Sequence, residues 1–335
     1  MSAAAAEVHT TSEFANSGRG LANSTFAWLA RVAAVLILVV LAAVATFLLR
    51  EAWPALTASA ADLAENIDWL GTAANETLMA TIGYLVFGTV LISAVAILLA
   101  TPVSIGIALF ISHYAPRRMA AGLGYVVDLL AAVPSVVYGL WGAFVLVPAL
   151  LPAMQWLERN FGWIPLFRGR ELADGSTSVG TGRVALSAAI ILAIMILPII
   201  TAVTREVFLQ TPVLHEEAAL AMGATKWEMI RMAVFPYGRS GMVGATMLGL
   251  GRALGETMAV YMILSPGLSY SFSLLEPSAH NTIAANIALK FPEANSSGVS
   301  ALIAMGLALF VITLVVNMIA RWVVSRRADF SGANG

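Results

Sequence analysis

The sequence predicts an all-α integral membrane protein with six transmembrane helices, and two observations carry that expectation. Hydrophobic residues make up 59% of the 335 and charged residues only 11%, with a mean hydropathy of +0.86, whereas a soluble domain carries about 25% charged residues. Six stretches, about 26–49, 78–111, 124–150, 184–208, 241–264 and 300–323, supply the roughly 20 mainly apolar residues that a helix needs to cross a bilayer.

Taken in order, residues 1–25 are polar, rich in Ala, Ser and Asn, and are expected to be a disordered or loosely attached cytoplasmic segment. The first span is not a signal peptide: the uncharged run from Val32 to Leu49 is too long for an h-region, and the cleavage-like Ala58-Ser59-Ala60 lies too far beyond it. The second is uncharged from 77 to 112, longer than one crossing requires, with Thr101-Pro102 where a helix kinks. It reads as one long kinked helix that protrudes from the membrane; the alternative is two short spans. In the third, Pro134 frees backbone carbonyls, and Ser135, Tyr138 and Gly139 offer polar or small wall material; hydroxyls bonded to their own backbone are the alternative. Asp128 caps that helix or pairs with Arg117 or Arg118.

Charge distribution orients the spans. With the N-terminus inside, the cytoplasmic segments hold Arg19, Arg31, Arg117, Arg118, Arg205, Lys226, Arg231, Arg239, Arg321, Arg326 and Arg327. The opposite side holds Arg50, Arg159, Arg168, Arg170, Arg183 and Lys290, and its first loop is rich in acid. Both termini are expected to be cytoplasmic. The net charge of −1 identifies no nucleic-acid partner. Without cysteine there are no disulfides or thiolate sites, and His9, His113, His215 and His280 are too scattered for metal-ligand spacing, so no metal site is expected. No fixed-period repeat or inverted pair of broken helices is visible.

Between the fourth and fifth spans, about 209–239, local signals describe two short helices and a turn. Thr211 can cap the first, with Pro212 in its first position, Glu216 and Glu217 near the positive end of its dipole, and Gly223 ending it. Thr225 and Glu228 form a T-x-x-E capping box for the second, expected to stop near Pro236. Ala218, Ala219 and Ala221 let the first helix approach another surface closely, as in a groove; an elbow on the membrane interface is the alternative.

The fifth stretch, "GMVGATMLGLGRALGETMAVYMIL", carries two charges, Arg252 and Glu256. A central charge is unfavourable by about 2.5 to 3.5 kcal/mol on insertion scales. On one continuous helix the two lie one turn apart, on a stripe reading Gly241, Ala245, Leu248, Gly249, Arg252, Gly255, Glu256 and Ala259, mostly small, as at helix interfaces in membranes. The pair therefore faces protein or a water-filled path. It is either a salt bridge locking the bundle or a counter-charge for a permeating anion, with Glu256 attenuating the field of Arg252.

Glu217-Ala218-Ala219, three residues, Gly223, a nine-residue gap and then Pro236 at the end of the apolar triplet Ala233-Val234-Phe235 resemble the EAA loop of ABC importer permeases, although Ala233 and Phe235 stand where that family favours Ile and Leu. "YAPRR" (114–118), "PSVVYGLWGAFVLVP" (134–148) and "GRALGETMAV" (251–260) further resemble the C-type permease subunits of phosphate-specific importers. The resemblance covers about 300 residues, from the first span to the last. It implies a type I permease fold over 26–325, a cytoplasmic tail at 326–335, and a place in the bacterial cytoplasmic (inner) membrane. It also implies coupling through Glu217, Ala218, Ala219 and Gly223 to a cytoplasmic ATPase, and a transport role for Arg252 and Glu256. Its implied partners are a homologous second permease in a heterodimer, two ATPase subunits and an external phosphate-binding protein, with phosphate as cargo.

The P-loop G-x-x-x-x-G-K-[ST] is absent: Lys226 follows Thr225 and Lys290 follows Leu289, and there are no other lysines. ATP and Mg are therefore expected on the partner, and no cofactor on this non-enzymatic chain. A permease for sulfate or molybdate is the nearest alternative, and a stand-alone anion channel or secondary transporter the alternative of another class.

Overall fold

The computed structural model describes residues 17–67, 69–70 and 77–325; the expectations for the rest of 1–25 and for 326–335 lie outside the described residues. Two compact units are distinguished, 1–51 and 52–335. The first holds most of α1 (Ser17–Thr57). Its apolar side chains are exposed, Leu36 and Ile37 among them, as a lipid-facing helix requires.

In the second unit α2 (Ala60–Asn66) opens on Ser59, whose hydroxyl accepts the Asp62 amide. α3 (Leu78–Leu109) is capped by Thr77, runs unbroken through Pro102 and passes into a π-helical turn, Phe110–Tyr114. The long second stretch is thus one helix. α4 (Arg117–Ala131) ends before Pro134, and α5 (Ser135–Trp141) begins after it. α5 continues through a π turn, Gly142–Leu146, into α6 (Val147–Phe161). The third span is therefore 135–161 and not 124–150. The cause lies in Val133-Pro134: proline bars the α region to the residue before it and cannot donate to the preceding turn.

A two-stranded hairpin, β1 (Arg170–Glu171) with β2 (Thr177–Ser178), precedes α7 (Ala185–Leu209). α7 is the most buried span, and its side chains Ile191, Leu192, Met195, Ile196 and Ile200 form the centre of the main core with Ile92 and Ala96 of α3. α8 (Val213–Ala221) and α9 (Lys226–Met229) follow, and α9 leads through a third π turn, Ile230–Val234, into α10 (Phe235–Leu254). The second loop helix therefore does not stop at Pro236. Each π turn closes with an i→i−5 bond from the residue immediately before a proline: Ala115 to Phe110, Val147 to Gly142 and Phe235 to Ile230. Widening the turn there accommodates a ring that has no N–H and that crowds the preceding turn.

The fifth stretch is also not one helix. α10 ends at Leu254, and α11 (Met258–Ile263) starts after a break. α12 (Ile283–Lys290) and α13 (Ser296–Ser325) complete the chain. Five helices among the described residues are long and apolar enough to cross a membrane, 25–57, 78–114, 135–161, 185–209 and 296–322. The broken α10–α11 passage occupies the place of the sixth.

Candidate functional site

Two places collect the residues singled out from the sequence, and they lie along α7. α10 packs antiparallel to it: Gly238 lies against Phe208, Gly241 against Val207 and Gly249 against Ile200. Continued by one turn, that register carries Arg252 to about the level of Leu197, the middle of the 25-residue α7. The buried Ala245 and Gly249 show that the small-residue stripe does face protein, although Leu248 is exposed.

Beyond Arg252 the stripe breaks. Gly255 caps α10, donating its amide to the Gly251 carbonyl at 3.3 Å. Glu256 is 8% exposed, and its Oε1 accepts the Ala259 amide at 3.1 Å. The carboxylate thus satisfies one of the unpaired amides that open α11. Arg252 and Glu256 therefore do not lie one turn apart on a continuous helix: Arg252 is in the last turn of α10, and Glu256 lies in the break before α11. No ion pair joins them: among the described residues such pairs link His113 to Glu216, Arg168 to Glu171, and Arg205 to Asp128 and Glu206. Arg252 is partly buried, and its Nε is buried without a hydrogen-bond partner.

α5 packs directly on α11. A Cβ at Gly139 would stand 2.9 Å from the Ala259 Cα, so only glycine permits this approach. Tyr138 is buried on α5. Its hydroxyl donates to the Leu130 carbonyl at 3.0 Å, which ties α5 back to α4 across the Pro134 break. Ser135 is half-buried. The structure thus sets α5, which carries Ser135 and Tyr138, against α11, whose opening amide is held by Glu256. Asp128 caps nothing: it lies inside α4, 3.9 Å from Arg205, and does not pair with Arg117 or Arg118.

At the far end of α7, α8 closes in a Schellman motif. Ala224 N–H bonds the Ala219 carbonyl at 3.2 Å and Gly223 N–H the Leu220 carbonyl at 3.0 Å, with Gly223 at φ +85°, where glycine is favoured. The Thr225–Glu228 capping box forms in full. Thr211 does not cap α8: Pro212 occupies that position, and the buried Thr211 hydroxyl has no partner. Ala219 packs inward with Ala108, Leu109, Phe208 and Ile230. The face presented outward carries Val213, Leu214, Glu217, Ala218 and Met222. Glu216 fastens α8 to the first π turn through His113 Nε2 at 3.3 Å.

Sequence reasoning missed two contributors. His113 and Glu216 lie 103 positions apart, and no local pattern announces their pairing. Arg183 reads as a loop charge, yet its Nε donates to the Ile263 carbonyl at 3.2 Å and its Nη2 to that of Met262, at the C-terminal end of α11.

Residues 100–329 match the family model described as binding-protein-dependent transport system inner membrane component. The chain is 46% identical over 295 residues to "Phosphate transport system permease protein PstC 2" of Mycobacterium tuberculosis, covering 88% of this chain and 89% of the relative. It is 41% identical over 317 residues to "Phosphate transport system permease protein PstC" of Mesorhizobium japonicum, covering 93% of each. In fold it is similar to a chain of the MetNI methionine ABC transporter, crystallised in inward-facing conformations, with a TM-score of 0.55 and 13% identity over 76% of this chain and 99% of that one.

Proposed function

The chain belongs to the family of binding-protein-dependent transport system inner membrane components, and from that membership we propose that it is the permease subunit of an ATP-driven importer that carries inorganic phosphate across a bacterial cytoplasmic membrane. Several relatives, 39 to 46% identical over most of their length, are named for phosphate transport. The partners in this reading are a homologous second permease, two cytoplasmic ATPase subunits that bind ATP and Mg, and an external phosphate-binding protein. The outward face of α8 is the coupling surface. The end of the bundle that carries α8 is cytoplasmic, as are both termini, and the Arg170–Ser178 hairpin faces the other side.

One observation carries the assignment of the pathway. Arg252 lies midway along α7 with a buried, unpartnered Nε and, among the described residues, no carboxylate within ion-pair distance, while the Glu256 carboxylate is engaged by the Ala259 amide. An intramembrane charge without a protein partner is poorly explained as a structural lock. A guanidinium with donors to spare suits the oxygens of a passing phosphate. ATP-driven closure of the partner subunits moves α8, and the cavity between the two permeases changes the side to which it opens.

The test is phosphate uptake by an Arg252→Met, Glu256→Leu double mutant assembled with its partners. Replacing both charges by apolar residues leaves no stranded buried ion, so the complex is expected to assemble yet lose uptake by about 100-fold. Arg252→Lys is expected to be intermediate, because it keeps the charge without the two-pronged geometry. Robust uptake by the double mutant at matched abundance makes Arg252 scaffold.

A further inference from the structure

A cavity of about 490 Å³ opens beside α11, lined among others by Phe144, Arg183, Tyr261, Ser265 and Asn281. Arg183 supplies the one formal charge of its lining, and the walls are otherwise neutral and mainly apolar. Arg183 stands two residues before α7, at the opposite end of that helix from α8. Part of its role is structural: Nε and Nη2 satisfy two of the last carbonyls of α11, and a cation there meets the negative end of the helix dipole. That role leaves the charge uncancelled, because no described carboxylate pairs with Arg183. The guanidinium is exposed and has five N–H donors. A single positive charge set in low-dielectric walls focuses the field and draws anions.

The cavity also lies on the route already described. Its wall includes Val260 to Met262 of α11, the helix whose opening amide is held by Glu256. α11 has six residues and is therefore about 9 Å long, so the Arg183 cavity and the Arg252 break lie at the two ends of one short helix. We infer that the Arg183 cavity is a second, outer subsite for a tetrahedral oxyanion, which receives the anion before it reaches Arg252. The inference rests on the proposed pathway. The cavity lining contains no carboxylate that could accept the proton of hydrogen phosphate, so the subsite takes phosphate and sulfate alike and contributes capture, not selection.

The native chain has no cysteine, so Ser265→Cys introduces a single reporter in the cavity. In the assembled transporter in vesicles, an anionic methanethiosulfonate is expected to modify it about tenfold faster than a cationic one of similar size, in line with electrostatic steering. Phosphate or sulfate should slow the reaction relative to chloride at equal ionic strength. Arg183→Gln should abolish both effects and lower uptake at limiting phosphate, whereas Arg183→Lys, which keeps the charge, should retain the preference. If the parent reporter shows neither preference nor protection, or if Arg183→Gln leaves both unchanged, Arg183 is only the cap of α11 and the subsite does not exist. Should Arg183→Gln fail to assemble, the parent and Arg183→Lys measurements still decide. Repeating the reporter assay with Arg252→Gln separates the two ideas: normal uptake there overturns the pathway, while anion protection of the reporter depends on Arg183 alone.

Discussion

The α8–α9 loop and the α10–α11 break lie at different levels of α7, and they differ in what they leave unpaired: Glu216 of the loop meets His113, whereas Arg252 Nε at the break is buried without a partner. In the loop the helix ends are closed locally, by the Schellman bonds at Gly223 and the reciprocal Thr225–Glu228 box, and one long-range polar contact, His113 with Glu216, holds α8 in place. At the break local bonds also close α10 and open α11, Gly255 N–H to the Gly251 carbonyl and Ala259 N–H to Glu256, but they do not reach the charge. Arg252 has no partner nearby in sequence, the far end of α11 is held by Arg183 from about 80 positions away, and α5 reaches α11 across more than 100. On the proposed function, the α8 surface is gripped by another protein and benefits from a shape fixed before docking. On the proposed function, a charge that meets a transient anion must not already be neutralised.

The sharpest way to break that contrast is at the α5–α11 crossing. Gly139→Leu forces a side chain into space where even a Cβ would be 2.9 Å from backbone and 3.1 Å from Met262 Sδ. Overpacking of this kind costs about 1–3 kcal/mol, and here it displaces the helix between Arg252 and the outer cavity. Uptake is expected to fall by about 100-fold, with a lowered melting temperature of the purified complex. Unchanged uptake shows that α5 and α11 need not stay in contact, and the tertiary half of the comparison fails.

Two substitutions in α8 sharpen the other half. Ala219 belongs to the chain's own core, so Ala219→Glu buries a carboxylate and is expected to destabilise the complex by about 3 kcal/mol or more. Leu214 is 76% exposed, so Leu214→Glu is expected to change stability by no more than about 0.5 kcal/mol and yet to lose copurification of the ATPase. Equal destabilisation by both removes the distinction between the inward and outward faces.

These outcomes follow how legible each region was. The capping box and the Gly223 terminus were readable because the residue types act on backbone groups within one turn. The EAA spacing was readable too, but it could not say which alanine faces in, since that depends on where Phe208 and Ile230 lie. Pro236 misled because its consequence appears one turn earlier, as a π turn that lets the helix continue. Arg252 and Glu256 were recognisable as costly charges, whereas the break between them was hidden in Gly-Glu-Thr, a sequence compatible with a helix until tertiary contacts are known. Arg183 gave no signal, because its meaning depends on a helix end that is remote in sequence.

Gly223 gives a smaller effect. Nothing lies within 4 Å of where its Cβ would stand, and φ is +85°. Gly223→Ala should therefore cost about 1–2 kcal/mol of purely backbone origin, visible in thermal unfolding, with coupled uptake retained. A loss of uptake larger than the loss of folded protein places a partner surface directly over this turn.

The smallest effect concerns Glu228. The Thr225 amide, and after it the Thr225 hydroxyl, hold its carboxyl below the ordinary carboxylate range. A carboxylate whose folded pKa is depressed stabilises the fold fully above its unfolded pKa, about 4.3, and that contribution disappears as pH falls through the lower folded value. Glu228→Gln keeps an acceptor for the Thr225 amide but removes the charge. The parent is therefore expected to be slightly more stable than the variant at neutral pH, and the gap should narrow as pH drops below about 4.3, as thermal unfolding across a pH series would reveal. Because the group is fully exposed, solvent screens the effect, and uptake at neutral pH should not change. A pH-independent gap means that Glu228 contributes only geometry. A large loss of uptake instead means that the box is part of the contact with the ATPase and not merely the device that starts α9.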